Sequence, residues 1–219
     1  MAGSIEVMAG SIEVMADRRG DSGLPGWLGA EAVLVPVKRF ADAKRRLADA
    51  VPPSERAALA REMADAVLRA ARPLPVAVVC DDVDVADWAR GHGALVVWEP
   101  GRGLNGAVEA GVDELGALGV ARVVVAHGDL PYASRLADLA PGSGVVLVPD
   151  RRRDGTNVAV VPAHAGFRFS YGPGSFDRHL EEAGRLGLAV SIVEDPLLAF
   201  DVDWPADLDM WAAAKRELR

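Results

Sequence analysis

The chain predicts a single α/β domain built on a mainly parallel sheet. Three observations carry that expectation. From residue 32 onward, short β-branched apolar runs alternate with helix-length amphipathic stretches, the pattern of strands joined by helical crossovers. The 219 residues, half of them hydrophobic, suffice for one sizeable core and fall short of two. No apolar run approaches the roughly 20 residues needed to span a bilayer, and no charged head followed by an apolar stretch marks a secretory signal, so a soluble cytoplasmic protein is expected.

Taken in order, the chain opens on MAGSIEV, which recurs unchanged as residues 8–14 before a third Met-Ala begins at Met15. A repeat this short resembles a duplicated start or a scar of cloning more than a structural repeat, which needs a longer unit to bury a face. Residues 1–29, ending in the Gly/Pro-rich DSGLPGWLG, are read as a disordered leader, and 30–219 as the domain. The expected strands are AVLVPV (32–37), VAVVC (76–80), ALVVW (94–98), RVVVAH (122–127), GVVLVP (144–149), NVAVVP (157–162), AVSIV (189–193) and LAFDV (198–202). Helices are expected over 54–71, 104–118, 175–186 and 205–218, with a short one at 85–90. In the first of these, Ser54 is placed to cap the helix, and Leu59, Met63, Ala66, Val67 and Ala70 recur at helical spacing. The stretch VPVKRFADAKRRL, 35–47, reads as a strand running into a cationic turn that opens a further helix.

Charge and cysteine content narrow the partners. A net charge of −8 repels polyanions, so neither nucleic acid nor an anionic membrane is expected to bind, whereas small phosphorylated molecules remain compatible with a local basic pocket. A lone cysteine, Cys80, cannot form an internal disulfide or a cysteine metal cluster, and its place at the end of an apolar run suits a buried thiol.

Ligands of open parallel sheets sit beyond the carboxyl ends of the strands, which directs attention to the loops there. In a chain with three lysines against 21 arginines, Lys38 and Lys44 stand six residues apart after the first strand. A compact ammonium on a flexible stem suits holding a phosphate; the alternative is a solvated helix face. Neither a dinucleotide fingerprint nor a P-loop is present. In EPGRGLNGAVEAG, 99–111, glycines permit close backbone approach to a flat ligand, and Asn105 is one of two asparagines in a chain without glutamine. Its amide suits a nucleobase edge or, equally, a helix cap. HGDLP, 127–131, puts Asp129 at a strand end as a hard oxygen ligand or an N-cap, with His127 read as a partly buried strand-end residue.

Further on, PDRRRDGTNVAVVP, 149–162, holds the chain's one threonine, Thr156, beside the second asparagine, Asn157. The Asp154-Gly155 step is an ordinary hairpin signal, and the three arginines at 151–153 read as a solvated turn. In SYGPGSF, 170–176, Gly172, Gly174 and Ser175 precede a helix whose free backbone N–H groups could hold an anion. In FDVDWP, 200–205, Asp201 and Asp203 are two apart on an extended segment, so their carboxylates share a side and call for a cation between them, unless both serve the turn structurally. Asp207 and Asp209 fit the first turn of the last helix as structural residues.

Six segments in this order, VPVKRFADAKRRL, RGLNGAVEAG, GDLP, DGTNVAVV, YGPGSF and DVDWPADL, cover nearly all of residues 32–210. Together they resemble the guanylyltransferases that activate a phosphorylated three-carbon acid in the biosynthesis of the deazaflavin coenzyme F-420. The resemblance implies a nucleotide-diphosphate-transferase-like (GT-A/Rossmann-like) fold with a mixed, mainly parallel sheet. It implies transfer of GMP from GTP to phosphoenolpyruvate or 2-phospho-L-lactate, with release of pyrophosphate. By matching motifs, Asp129, Asp201 and Asp203 are expected to hold Mg²⁺, and Lys38 and Lys44 the GTP phosphates, these two lysines and Asp129 forming the catalytic set. Gly103, Asn105 and Gly106 fall in the stretch expected at the base, and Thr156, Gly172 and Ser175 where the acid should dock.

The arginine-rich composition points to a GC-rich genome of the actinobacterial kind, where the family is expected to use phosphoenolpyruvate; 3-phosphoglycerate is a third acceptor. The cationic opening departs from the glycine-rich turn of the similar molybdenum-cofactor guanylyltransferases, which argues against that acceptor. A sugar-phosphate nucleotidyltransferase and a non-catalytic nucleotide-binding protein are the rival readings. The labile activated product leaves room for a hand-off to the next pathway enzyme.

Overall fold

A computed structural model describes residues 28–217; the duplicated MAGSIEV segment lies outside the described residues. Seven strands form one sheet: β1 (Glu31–Pro36), β2 (Val76–Cys80), β3 (Leu95–Trp98), β4 (Arg122–Ala126), β5 (Val145–Pro149), β6 (Thr156–Pro162) and β7 (Val190–Ile192). Their order is β3-β2-β1-β4-β6-β5-β7. Only β6 runs against its neighbours, β4 and β5; the remaining pairings are parallel, as the alternating pattern predicts. The helices are α1 (Pro53–Ala70), α2 (Val83–Gly91), α3 (Gly103–Ala117), α4 (Ser175–Arg185) and α5 (Pro205–Glu217).

The strands read as continuous apolar runs because both of their faces are covered. On β1, Val33 and Val35 pack with Ala64 and Val67 of α1 and with Val85 and Ala89 of α2. Ala32 and Leu34 point the other way, into a core shared with Val108 and Val112 of α3 and Phe176 and Ala183 of α4. Gly111 is what lets α3 approach the sheet this closely, since a Cβ there would stand 2.7 Å from Leu34 Cδ2. A third, smaller cluster of Leu47, Val51, Met63, Phe200, Val202 and Trp211 lies apart from the sheet and joins the segment after β1, α1 and the chain's last segments.

Three expectations need correction. LAFDV, 198–202, forms no strand. Its Phe200 and Val202 side chains go into the third cluster, and single hydrogen bonds hold its backbone: Leu198 O accepts from Asn157 Nδ2 at 3.0 Å and Arg151 N donates to Ala199 O at 3.2 Å. The stretch after β1 forms two short 3₁₀ turns, Phe40–Asp42 and Arg45–Leu47, where a helix was expected. Lys44 between them is left-handed, with φ 54°, and a right-handed helix cannot run through such a residue. Ser54 does not cap α1, because Pro53, with its preset φ and missing N–H, takes the first helical position, so the helix begins ahead of Ser54 with Pro52 as its N-cap. Cys80 is buried, and burial pushes its thiol up to about 11.

Candidate active site

The sheet order reverses between β1 and β4, and the crevice beyond their carboxyl ends is where an open α/β sheet receives its ligands. β1 delivers the two 3₁₀ turns to this point. Phe40 and Leu47 bury themselves, one in each turn, and so pin the backbone on both sides of Lys44. The left-handed conformation of Lys44, costly for a residue with a Cβ, is over-determined by these anchors. Its side chain is only 7% exposed, and Nζ lies 2.8 Å from Asp129 Oδ2 and 3.4 Å from Asp203 Oδ1. Asp129 follows β4 by way of His127 and Gly128.

The carboxylates owe their direction to extended geometry outside any strand. Phe200 and Val202 are buried in the third cluster, so the alternating residues Asp201 and Asp203 face away from it. Arg46 NH1 is 2.6 Å from Asp203 Oδ2, and its guanidinium lies over the Trp204 ring at 5.2 Å. Burial alone would lower Lys44, but Asp129 and then Asp203 reverse this and hold the ammonium above its ordinary pKa. For Asp129 burial is the largest influence and works upward, but the charge and hydrogen bond of Lys44, with neighbouring groups, together outweigh it and leave the carboxyl below the usual range. Asp201 has no such partner: burial, with Asp129 and Asp203 nearby, pushes it up to about 6.

Two cavities open on either side of this group. The larger, 510 Å³, is lined by Lys38, Phe40, Lys44 and Leu104 among others. The smaller, 220 Å³, is lined by Arg151, Arg152, Thr156, Ser175, Asp201 and Trp204 among others. Both include Arg46, His127, Asp129, Tyr171, Gly172 and Asp203, so these residues form a common wall. Three polar atoms in that wall, His127 Nε2, Asp129 Oδ1 and Tyr171 OH, are buried without a hydrogen-bond partner. Burial holds His127 below its ordinary pKa and Tyr171 above its own, so both side chains are neutral.

The predicted site residues distribute unevenly over this geometry. Lys38, Lys44, Asp129, Asp201 and Asp203 gather at the crevice, and Thr156, Gly172 and Ser175 line the smaller cavity. Gly103, Asn105 and Gly106 line neither; from that stretch Leu104 reaches the larger cavity. Asn105 Oδ1 instead accepts the Tyr171 N–H at 2.8 Å and so ties α3 to the loop before α4. The start of α4 is not a cradle of free N–H groups either. Ser175 N donates to Gly172 O at 3.0 Å, Phe176 N to Asp154 O at 3.1 Å, and Gly174 N to Asp154 Oδ1 at 3.0 Å. What remains for an anion there is hydroxyl: Ser175 Oγ accepts the Thr156 N–H at 3.1 Å, which leaves its own proton to donate.

Several roles were not apparent beforehand. Asn157 is rare for a structural reason, since its amide anchors the segment carrying Asp201 and Asp203. Arg151 does more than face solvent: it pairs with Asp207 at 2.6 Å and lies over Phe200 at 4.2 Å. Asp207 in turn accepts the N–H groups of Asp203 at 3.1 Å and Trp204 at 2.8 Å, in keeping with a structural role. His179 escaped notice, although its spacing of four from Ser175 puts both on one helix face. It is fully buried, and its Nδ1 lies 3.0 Å from Thr156 Oγ1.

Which cation these carboxylates could hold follows from the donors. Among the described residues no three His, Cys, Asp or Glu side chains are grouped so as to cage a metal ion. A Mg²⁺ ion, however, commonly takes one or two carboxylates and completes its shell with substrate phosphates and water. The orphaned Asp129 Oδ1 and the partnerless, upward-shifted Asp201 are hard oxygen donors suited to that partial set.

Comparison with known proteins identifies the family. Residues 31–211 match the family described as "Guanylyl transferase CofC like". The phosphoenolpyruvate guanylyltransferase of Conexibacter woesei is 40% identical over 198 residues, covering 84% of this chain and 86% of its own. That of Sphaerobacter thermophilus is 36% identical over 185 residues, covering 80% and 89%. The 2-phospho-L-lactate guanylyltransferase of Methanothermobacter thermautotrophicus is also 36% identical, covering 80% and 81%. Among solved structures, a nucleotidyl transferase from Methanothermobacter is similar with a TM-score of 0.60 at 18% identity, over 86% of this chain and 98% of that one. A cytidylyltransferase from Leptospira borgpetersenii gives 0.56 at 12% identity, over 83% and 84%. At such identities the likeness is one of fold.

Proposed function

The chain belongs to the family of CofC-like guanylyl transferases, and from that premise we propose that it transfers GMP from GTP to the phosphate of phosphoenolpyruvate in coenzyme F-420 biosynthesis. The observation that supports this reading is the pair of cavities meeting at one wall that carries the charged Arg46, Asp129 and Asp203. Joining two polyanions requires each to have its own chamber and both to meet where charge is controlled. GTP is assigned to the larger chamber, where Lys38 and Lys44 are available to its phosphates, and the acid to the smaller one with Thr156, Gly172 and Ser175.

In the reaction, a phosphate oxygen of the acid attacks the α-phosphorus of GTP. A new P–O bond forms, the α–β bridge breaks, and its electron pair leaves with pyrophosphate. The nucleophile has a second pKa of about 6 and is ionised at neutral pH, so positioning and charge neutralisation are the main requirements. Lys44, held between Asp129 and Asp203, carries a fixed positive charge to this junction. Asp129 and Asp201 are the residues that would hold Mg²⁺ directly, beside Asp203, whose oxygens pair with Lys44 and Arg46; the ion when bound would supply further neutralisation of the transferred group.

The acceptor is assigned with the Conexibacter and Sphaerobacter relatives; the Methanothermobacter relative favours 2-phospho-L-lactate as the second reading. No helix among the described residues is long and apolar enough to cross a membrane, and a cytoplasmic location is part of the proposal. The test is pyrophosphate release from GTP and Mg²⁺ with phosphoenolpyruvate, 2-phospho-L-lactate and 3-phosphoglycerate offered separately. Release with phosphoenolpyruvate is expected. Release with another acid alone would reassign the acceptor, and silence with all three in a sample that binds GTP would overturn the reading.

A further inference from the structure

We infer that His179 is a positioning residue for the acceptor: its imidazole, held by the Ser170 N–H, donates from Nδ1 to the Thr156 hydroxyl and so orients that hydroxyl's own proton toward the acid's anionic group. The inference rests on the assignment of the smaller cavity to the acid.

It begins from the tautomer. His179 Nε2 lies 3.0 Å from the Ser170 backbone nitrogen, whose N–H can only donate. Nε2 must therefore carry the lone pair, and in a neutral ring the proton then sits on Nδ1. From there it is donated to Thr156 Oγ1, 3.0 Å away. A cationic ring would lose the Ser170 bond, and the surroundings oppose that charge as well. His179 is fully buried, ringed by Phe167, Phe169 and Tyr171 with centroids 5.8, 5.8 and 5.0 Å away, and its pKa falls to about 4, chiefly by burial.

The consequence lies one atom further on. A threonine hydroxyl can donate or accept, and which it does is ordinarily settled by the ligand. Here its acceptor side is engaged by an imidazole N–H, and Thr156 lines the smaller cavity, where its own proton is left to donate. Ser175 is committed in the same sense by the Thr156 N–H. Two hydroxyls, each held as a donor, suit a phosphate or carboxylate oxygen and disfavour any group that must itself donate. His179 also holds the Ser170 N–H, so one ring sets both β6 and the loop that enters α4.

The experiment separates the two nitrogens. In His179→Asn the side-chain amide can stand near Nδ1 and keep the bond to Thr156, whereas in His179→Gln it can stand near Nε2 and keep only the bond to Ser170. Steady-state kinetics would be read for phosphoenolpyruvate and for GTP in both variants, in Thr156→Val, and in the Thr156→Val/His179→Gln double variant. The expected result is a rise of roughly tenfold in KM for the acid in His179→Gln, by loss of one oriented hydrogen bond to an anion, with KM for GTP unchanged. His179→Asn should stay within about threefold of the unaltered protein, and the double variant should be no worse than Thr156→Val, because His179 acts through Thr156.

Equal rises in His179→Asn and His179→Gln, parallel changes for GTP, or independent effects in the double variant would overturn the inference. Should the His179 variants not fold, ¹⁵N-histidine NMR of the unaltered protein and of Thr156→Val decides. One of the four imidazoles must be a neutral Nδ1–H tautomer whose signal moves with phosphoenolpyruvate in the former and not in the latter; absence of that tautomer overturns the inference. Activity of the unaltered protein on the acid keeps the assignment of function separate: if it turns over while His179→Gln is normal, only the positioning role fails.

Discussion

The common wall and the far end of the smaller cavity handle the same kind of ligand by opposite means. The wall and the residues beside it are charged and incompletely satisfied: Lys44, next to the wall, is shared between its Asp129 and Asp203, Asp201 makes no ion pair and is pushed up by burial and by its acidic neighbours, and three buried polar atoms of the wall lack partners. In the smaller cavity the hydroxyl groups of Thr156 and Ser175 are neutral and are committed to partners within the protein, Thr156 to His179 and Ser175 to the Thr156 N–H. Unsatisfied charge is useful where charge is redistributed during a reaction, because reactants complete it. Committed hydroxyls are useful where a ligand must only be recognised, because geometry and donor sense discriminate without net charge.

The sharpest way to break this comparison is at the wall. Asp129→Asn should lower turnover by a hundredfold to a thousandfold, on the order of losing one electrostatic contact made in the transition state, while circular dichroism stays unchanged. Asp201→Asn and Asp203→Asn should behave likewise, and near-normal turnover in all three would remove the metal assignment. Lys44→Met should lose roughly a hundredfold in turnover and leave Asp129 and Asp203 in mutual repulsion. Lys44→Arg should not restore it, since a planar fork does not replace a compact ammonium shared by two carboxylates.

A smaller effect reports on what holds the wall together. Leu47→Ala, in the third cluster, should cost about 2–5 kcal/mol in urea unfolding, because the side chain is fully buried. It should also weaken activity, since Leu47 closes the turn that holds Lys44.

An effect of comparable size distinguishes the two regions by pH, in metal-free protein. His179 has a folded-state pKa of about 4, below its unfolded value, so the unfolded chain takes up the proton first. Stability is then present above about 6.5 and is lost as pH falls toward 4, by about 3 kcal/mol. Asp201 has the opposite sign: raised to about 6, it favours the folded state at low pH and loses that contribution as pH rises through 6. Urea midpoints between pH 4 and 7 should therefore tilt in opposite directions in His179→Asn and Asp201→Asn. A common tilt would mean that one of the two environments is misread.

These regions also differed in how far they could be read beforehand. Asp201 and Asp203 were legible as a pair because extended backbone alternates sides whether or not a strand forms, and the segment kept that alternation although it pairs with no strand. Lys38, Lys44 and Asp129 stood out by rarity and by their place after strands. The helix expected around Lys44 was not there, because local pattern could not reveal the left-handed residue that the buried Phe40 and Leu47 impose. Asn105 suits a base edge or a helix cap equally by its sequence context, and its side-chain oxygen accepts from Tyr171 N–H, 66 positions away in the chain.

What the sequence determined by itself is what is periodic or local: the alternation of strand and helix, and the carboxylates and lysines at strand ends. These follow from side-chain geometry within a few residues and need no knowledge of neighbours. Only the tertiary structure decided who satisfies whom. It spent the first N–H groups of α4 on Gly172 and Asp154, placed Lys44 between two aspartates far from it in sequence, and set a buried histidine against the chain's one threonine. Hydrogen-bond partners across a folded core are chosen by proximity in space, and a donor already engaged within the protein is not free for a ligand.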